Sequence, residues 1–234
     1  MSTNNGKWKV FVFDFDGVLV DSYSCLPSVY DYIAQYVGLE GKLRKKFIEK
    51  AIRLEDEQDA LGNYEKRTWW PILFREFGIS IDESKLNQLI EIFWNKRAEQ
   101  SKIIENCENI LKLLKKKGKI LIIMAGNDGI VGMKKRRIEK SGLAHFFDEI
   151  FVVGEDIKDR IEGINLIIRK YNVAPNQIVV VDDKPSPINE INRKMKDITT
   201  VKVEFKGVLK LAWSDECEPN FRIKKIGELW NIIK

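Results

Sequence analysis

The chain has 234 residues, 44% of them hydrophobic and 32% charged. That length suits one core of about 150 residues plus an inserted module and excludes two full-sized independent domains. No apolar run approaches the roughly 20 residues that a membrane span requires, and the first one is broken at Asp14, so it does not read as a signal peptide. A balance of 40 basic to 35 acidic residues leaves a net charge of +5 spread along the chain, too little to argue for nucleic acid. Cys25, Cys107 and Cys217 are odd in number and far apart, and read as reduced thiols of a cytoplasmic protein.

In chain order, Val10 to Phe15 is β-branched and aromatic up to Asp14, the pattern of a strand buried on both faces. Asp14 and Asp16 stand two apart at its end. Two ionised carboxylates so close repel unless a divalent cation or a lysine neutralises them, so the pair implies a metal. Gly17 then permits a tight turn where a side chain would block a ligand. From Ser22 the period changes to that of helices. Tyr30, Ile33, Ala34 and Val37 stop at Gly38, Leu43, Phe47, Ala51 and Leu54 continue, and Leu86 to Trp94 form a stripe behind an Asp82 cap. Pro71 either starts or kinks the helix that holds Trp69 and Trp70.

From about Ser101 helices and short apolar strands alternate. Helices are predicted over 110–117, 133–140, 161–171, 188–195 and 226–233, and strands over 120–124, 150–153, 178–181 and, more weakly, 200–203. The pattern predicts an α/β fold, a doubly wound parallel sheet covered on both faces, with its site at the carboxyl ends of the strands. Asp182 and Asp183 end one such strand, at the same edge as Asp14, and offer hard oxygen ligands to Mg²⁺. The run Lys134-Lys135-Arg136-Arg137 reads as a solvated helix face rather than a contact to a phosphate backbone.

The stretch Asp14-Phe-Asp16-Gly17-Val-Leu-Val-Asp21-Ser22 resembles the first motif of the haloacid dehalogenase superfamily of phosphotransferases, in the subfamily with a helical cap. The later motifs follow in order. The resemblance implies a core of residues 1–21 and 101–234 and a cap of residues 22–100, hinged near 20–22 and 100–102. It implies that Asp14 attacks phosphorus to form an aspartyl phosphate and that Asp16 protonates the leaving oxygen and then deprotonates water. It places Asp183 as a metal ligand, with Asp182 assisting directly or through water, and has Asp16 contribute its backbone carbonyl to the metal. Lys158, 17 residues before Pro175, falls at the spacing of the third-motif lysine that neutralises the aspartate and the phosphoryl oxygens. Asp159 replaces the usual proline after it, and Lys184 is the substitute candidate.

The second motif departs from the family. Counting forward from Gly118 puts the expected Ser or Thr at Ala125, and counting backward from Gly142 puts it at Asn127. The Asn127 amide, with backbone donors of Gly126 and Asp128, is the expected phosphate site. Tyr64, Trp69, Trp70 and Trp94 are candidate substrate-facing aromatics, against the ordinary role of large aromatics in a core. The function implied is a Mg²⁺-dependent phosphatase for a small phosphorylated metabolite. A sugar-phosphate mutase and a catalytically weakened phosphate-binding protein are the alternatives. Neither nucleic acid nor membrane is expected as a partner, and monomer and homodimer stay open.

Overall fold

In the computed structural model, which describes residues 7–205 and 207–233, Val10–Phe13 (β1) lies near the middle of a six-stranded parallel sheet. The ends of the predicted core segments, residues 1–6 and 234, lie outside the described residues. Beside β1 run Ile120–Gly126 (β4) on one side and Ile178–Asp182 (β6) on the other, so that Phe13 pairs with both Ile123 and Val181. Outward from β4 lies Glu149–Val153 (β5), and outward from β6 lie Thr199–Val203 (β7) and Phe221–Ile223 (β8). The strand order therefore reverses at β1. A crevice opens outside the carboxyl ends of the strands where neighbouring connections leave in opposite directions, and Asp14 is the first residue beyond β1 at that point.

Alternation along each strand divides the side chains between two layers. Phe11, Phe13, Leu121, Ile123, Val179 and Val181 pack with Ile110 and Leu114 of Cys107–Lys116 (α5) and Ile138 of Met133–Lys140 (α6), together with Leu229 of the closing helix Leu229–Ile233 (α9). Val10, Val12, Ile122, Met124, Ile178 and Val180 face the other way, against Ile164 and Ile167 of Arg160–Tyr171 (α7) and Ile191 of Pro185–Lys194 (α8). Burying each large aliphatic side chain contributes about 1.5–3 kcal/mol, and this two-sided burial explains why the strands read as unbroken apolar runs.

The helical insertion leaves and returns through a two-stranded hairpin, Val20–Asp21 (β2) against Lys102–Ile103 (β3), too short to carry a periodicity in the sequence. Between them stand Leu26–Tyr36 (α1), Gly41–Ala60 (α2), a 3-10 turn Lys66–Thr68, Trp70–Glu76 (α3) and Glu83–Gln100 (α4). Asp82 caps α4 by accepting from the Lys85 N–H at 2.7 Å, and Pro71 starts α3 instead of kinking it. Tyr30, Phe47, Trp70, Phe74, Phe93 and Trp94 centre a third apolar cluster, which also takes in Met133 and Leu209 from the sheet-bearing part of the chain. No helix is long and apolar enough to cross a membrane among the described residues.

Candidate active site

The Asp14 N–H donates to the Val181 carbonyl at 2.9 Å, so pairing with β6 continues past β1 and seats the Asp14 carboxylate beside the end of that strand. Gly17, at φ +80°, turns the chain immediately afterwards. A Cβ on Gly17 would stand 2.1 Å from Asp183 Oδ2, so only glycine fits where the two acidic segments approach. Asp14, Asp182 and Asp183, all buried, bring one carboxylate oxygen each to within 4.8 Å of one another. Asp183 Oδ2 accepts from the Trp213 indole N–H at 2.8 Å, while its buried Oδ1 has no hydrogen-bond partner among the described residues. Burial and then the Asp182 charge push the Asp14 carboxyl up to about 7 against the opposing Arg160, and burial, Asp182 and Asp14 push Asp183 well above the carboxylate range. A buried group of like charges with an orphaned hard oxygen has the donor set of a divalent-cation site.

The cation facing this cluster is Arg160, not Lys158. Arg160 opens α7, and its Nη2 lies 3.2 Å from Asp14 Oδ1 and 3.0 Å from Asp182 Oδ2. Lys158 is exposed, outside the cavity lining, and its backbone N–H donates to Glu162 Oε2 at 2.6 Å. The cause is helix capping: Asp159 accepts from the Glu162 N–H at 2.9 Å and so becomes the residue before the helix. That leaves Lys158 outside the helix, while the first helical residue turns toward the strand ends. The sequence carries the signal, since Asp159 followed three residues later by Glu162 is a helix-start pattern.

Asp16 faces a different environment. Lys134 and Arg137 lie one turn apart on α6, both buried, and both pair with the Asp16 carboxylate and with the buried Asp128. Ser22 donates its hydroxyl to Asp16 Oδ1, and Arg97 of α4 holds Ser22 through its carbonyl at 3.0 Å and its Oγ at 3.3 Å. Burial alone would raise the Asp16 pKa, but Arg137, Lys134 and Arg97 outweigh it and hold the carboxyl well below the usual range. The basic run is thus no uniformly solvated face. Lys135 pairs with Asp156 at 2.5 Å and Arg136 with Glu91 at 3.5 Å near the surface, while the other two are interior.

At the end of β4, Ala125 is buried in the sheet opposite Val152. The Asn127 side chain bridges its own turn and the end of β5. Its amide donates to the Val153 carbonyl at 3.0 Å and its Oδ1 accepts from the Gly129 N–H at 2.9 Å. Gly126, Asn127 and Asp128 line the cavity, with one Asn127 amide N–H engaged by Val153 and the Asp128 carboxylate paired with α6.

These elements enclose a cavity of about 240 Å³, with Asp14, Asp16 and Arg160 from the sheet edge and Tyr23, Asp59, Tyr64, Trp94 and Arg97 from the insertion. Of the four aromatic candidates, Tyr64 and Trp94 line it, and the Trp94 indole N–H has no acceptor among the described residues. Trp69 and Trp70 instead pack in the insertion's core near Lys66, whose Nζ is 5.3 and 6.0 Å from their rings and 3.0 Å from Glu55. Lys184 joins the two halves, 2.8 Å from Asp59 on α2. Six carboxylates (Asp14, Asp16, Asp59, Asp128, Asp159, Glu190) against four cations (Arg97, Lys134, Arg160, Lys184) line the cavity. A phosphate dianion would meet a net negative wall there unless a divalent cation entered with it.

A sequence model described as haloacid dehalogenase-like hydrolase matches residues 11–192. No curated protein matches the chain. Among solved structures, YfnB of Bacillus subtilis, a HAD hydrolase solved bound to magnesium, aligns with 18% identity and a TM-score of 0.70 over 97% of this chain and 99% of its own. A Thermotoga maritima protein assigned as a β-phosphoglucomutase aligns with 19% identity and a TM-score of 0.69 over 96% and 98%. The L-2-haloacid dehalogenase of Xanthobacter autotrophicus aligns with 16% identity and a TM-score of 0.67 over 97% and 98%. At such identities the likeness establishes the fold. The family match, which spans most of the chain, establishes membership: this protein belongs to the haloacid dehalogenase-like hydrolases.

Proposed function

We propose that this hydrolase is a Mg²⁺-dependent phosphatase for a small phosphorylated metabolite, with Asp14 as the nucleophile. The carrying observation is the buried Asp14–Asp182–Asp183 cluster with its orphaned Asp183 Oδ1, opposite Arg160, with Asp14 and Arg160 lining a small cavity. Asp14, Asp182 and Asp183 would hold the cation, with the Asp16 carbonyl as the further candidate. Bound there, Mg²⁺ would offset the like charges and draw the phosphoryl group toward Asp14. Asp14, relieved of its neighbours' repulsion, would attack phosphorus and break the bond to the leaving oxygen, forming an aspartyl phosphate that water then hydrolyses. Arg160 would hold Asp14 in line and meet the charge that develops on the phosphoryl oxygens. Asp16 would carry the proton to the leaving oxygen and take one from water. To do so its carboxylate must leave Lys134 and Arg137, a step that closure of the insertion over a substrate would drive.

The opposite displacement of the Asp14 and Asp16 carboxyls favours a working site over a solvated turn, while the roles themselves require the relief of Asp14 and the release of Asp16 just described. A pKa near 7 on a buried aspartate and one held far below on its neighbour two residues away mark paired groups at a working site. A panel of phosphate esters assayed with and without Mg²⁺ tests the reading, and beryllofluoride trapped on Asp14 would report the covalent step. Inactivity across the panel together with failure to trap would sink it. Isomerised sugar phosphate with little free phosphate would point instead to a mutase of the same family. The clamp on Asp16 favours a second reading, a phosphate-ligand binder with weakened turnover, which predicts tight phosphate binding without trapping.

A further inference from the structure

Trp213 has no part in the chemistry above, yet it touches the proposed metal site directly. It ends the 3-10 turn Leu211–Trp213 in the segment after β7, and its indole N–H donates to Asp183 Oδ2 at 2.8 Å. Oδ2 is also the oxygen that closes on Gly17, so the indole and the glycine together assign that oxygen to the protein and leave the buried Oδ1 for a ligand. The ring itself is held firmly. Tyr23 meets it edge-on at a centroid distance of 5.0 Å, and Lys184 Nζ lies 5.2 Å from its centroid.

The same segment grips the insertion. The backbone N–H groups of Lys210 and Leu211 both donate to Asp56 Oδ1 on α2 at 2.8 Å, and Leu209, 3% exposed, belongs to the insertion's apolar cluster. Leu211 and Trp213 are only two positions apart, a reach of no more than about 7 Å. Little slack is left between Asp56 and Asp183.

We propose that Trp213 is a positioning residue for Asp183, and that residues 207–214 couple cation loading at Asp183 to the pose of α2. The proposal rests on the metal reading above. A carboxylate with one oxygen held by a fixed donor presents the other in a single orientation, and partners of this kind are worth about 10–100-fold in metal affinity.

The test is calorimetric titration of Mg²⁺ into the full chain as wild type, Trp213→Phe and Asp183→Asn, together with amide exchange at Lys210 and Leu211. Trp213→Phe keeps a ring against Tyr23 but removes the N–H. It is expected to weaken Mg²⁺ binding about 10–100-fold while the metal-free melting temperature stays within a few degrees of wild type. Exchange at Lys210 and Leu211 is expected to slow when the wild type is loaded, a readout that does not depend on any variant folding. Binding lost in Asp183→Asn but unchanged in Trp213→Phe overturns the positioning role alone, and exchange indifferent to Mg²⁺ overturns the coupling. No Mg²⁺ binding by the wild type, or equal binding by Asp183→Asn, overturns the metal reading and this proposal with it.

Discussion

Asp14 and Asp16 are two residues apart, equally buried, and held in opposite electrostatic states. Asp14 faces Asp182 and Asp183 with a single arginine to offset them, and its carboxyl is pushed up to about 7. Asp16 faces Lys134 and Arg137 with Ser22 donating to it, and its carboxyl is held well below the ordinary range. Burial acts alike on both, so the neighbours decide the outcome. On one side a single arginine faces three acids, and on the other a lysine and an arginine face two, Asp16 and Asp128. The contrast shows that a pair of identical side chains at a strand end is assigned its roles by the elements that converge on it: α7 and β6 for one, α6 and α4 for the other.

The largest way to break this contrast is Asp14→Asn, which keeps the shape and removes the proposed nucleophile. Phosphate release is expected to fall by about a thousand-fold or more, and turnover near wild type would sink the assignment. Arg137→Met attacks the other side. It leaves Asp16 and Asp128 with only Lys134, and breaking such a buried pair is expected to cost about 3–5 kcal/mol of stability, measurable by urea denaturation. Arg160→Met, set beside Lys158→Met, asks which cation serves Asp14. The first is expected to lower kcat about 100-fold and the second less than about twofold; the reverse order would restore Lys158 to the third-motif role.

The smallest effect is on stability against pH. Asp14 and Asp183 hold their protons more tightly when folded than when unfolded, so above the ordinary carboxylate range, for Asp14 up to about 7, the folded chain binds the more protons. The metal-free stability from these two groups is therefore full at low pH and is lost as pH rises through that window, whereas Asp16 loses its contribution only as pH falls below the ordinary carboxylate range. A cation that must displace those protons is expected to raise the melting temperature several degrees more at about pH 8 than at about pH 5. An equal shift at both would argue that Asp14 and Asp183 do not bind it.

Much of this was legible in the chain. The buried strands, the parallel sheet, the helical insertion and the acids at the ends of β1 and β6 follow from local pattern, because strand burial and strand-end chemistry are written in consecutive residues. The apolar spacing of 226–233 suits one helix, yet residues 226–228 form a 3-10 turn before α9, and β8 has no strand pattern because only Ile223 of its three residues is buried. The basic run on α6 was misread for a related reason. Charge alone cannot say which side of a helix meets an acid from another element, and Lys134 and Arg137 differ from Lys135 and Arg136 only in phase.

The chain's local pattern is enough for the fold class and for the acids at the ends of β1 and β6, since each depends on residues adjacent in the chain. Only packing settles which cation answers which acid, that Asn127 bonds to Val153 and Gly129, and that Trp213 reaches Asp183 across 30 positions. Those pairings depend on where a capped helix begins and which face it turns inward, and such geometry exists only once the sheet, the helices and the insertion have packed together.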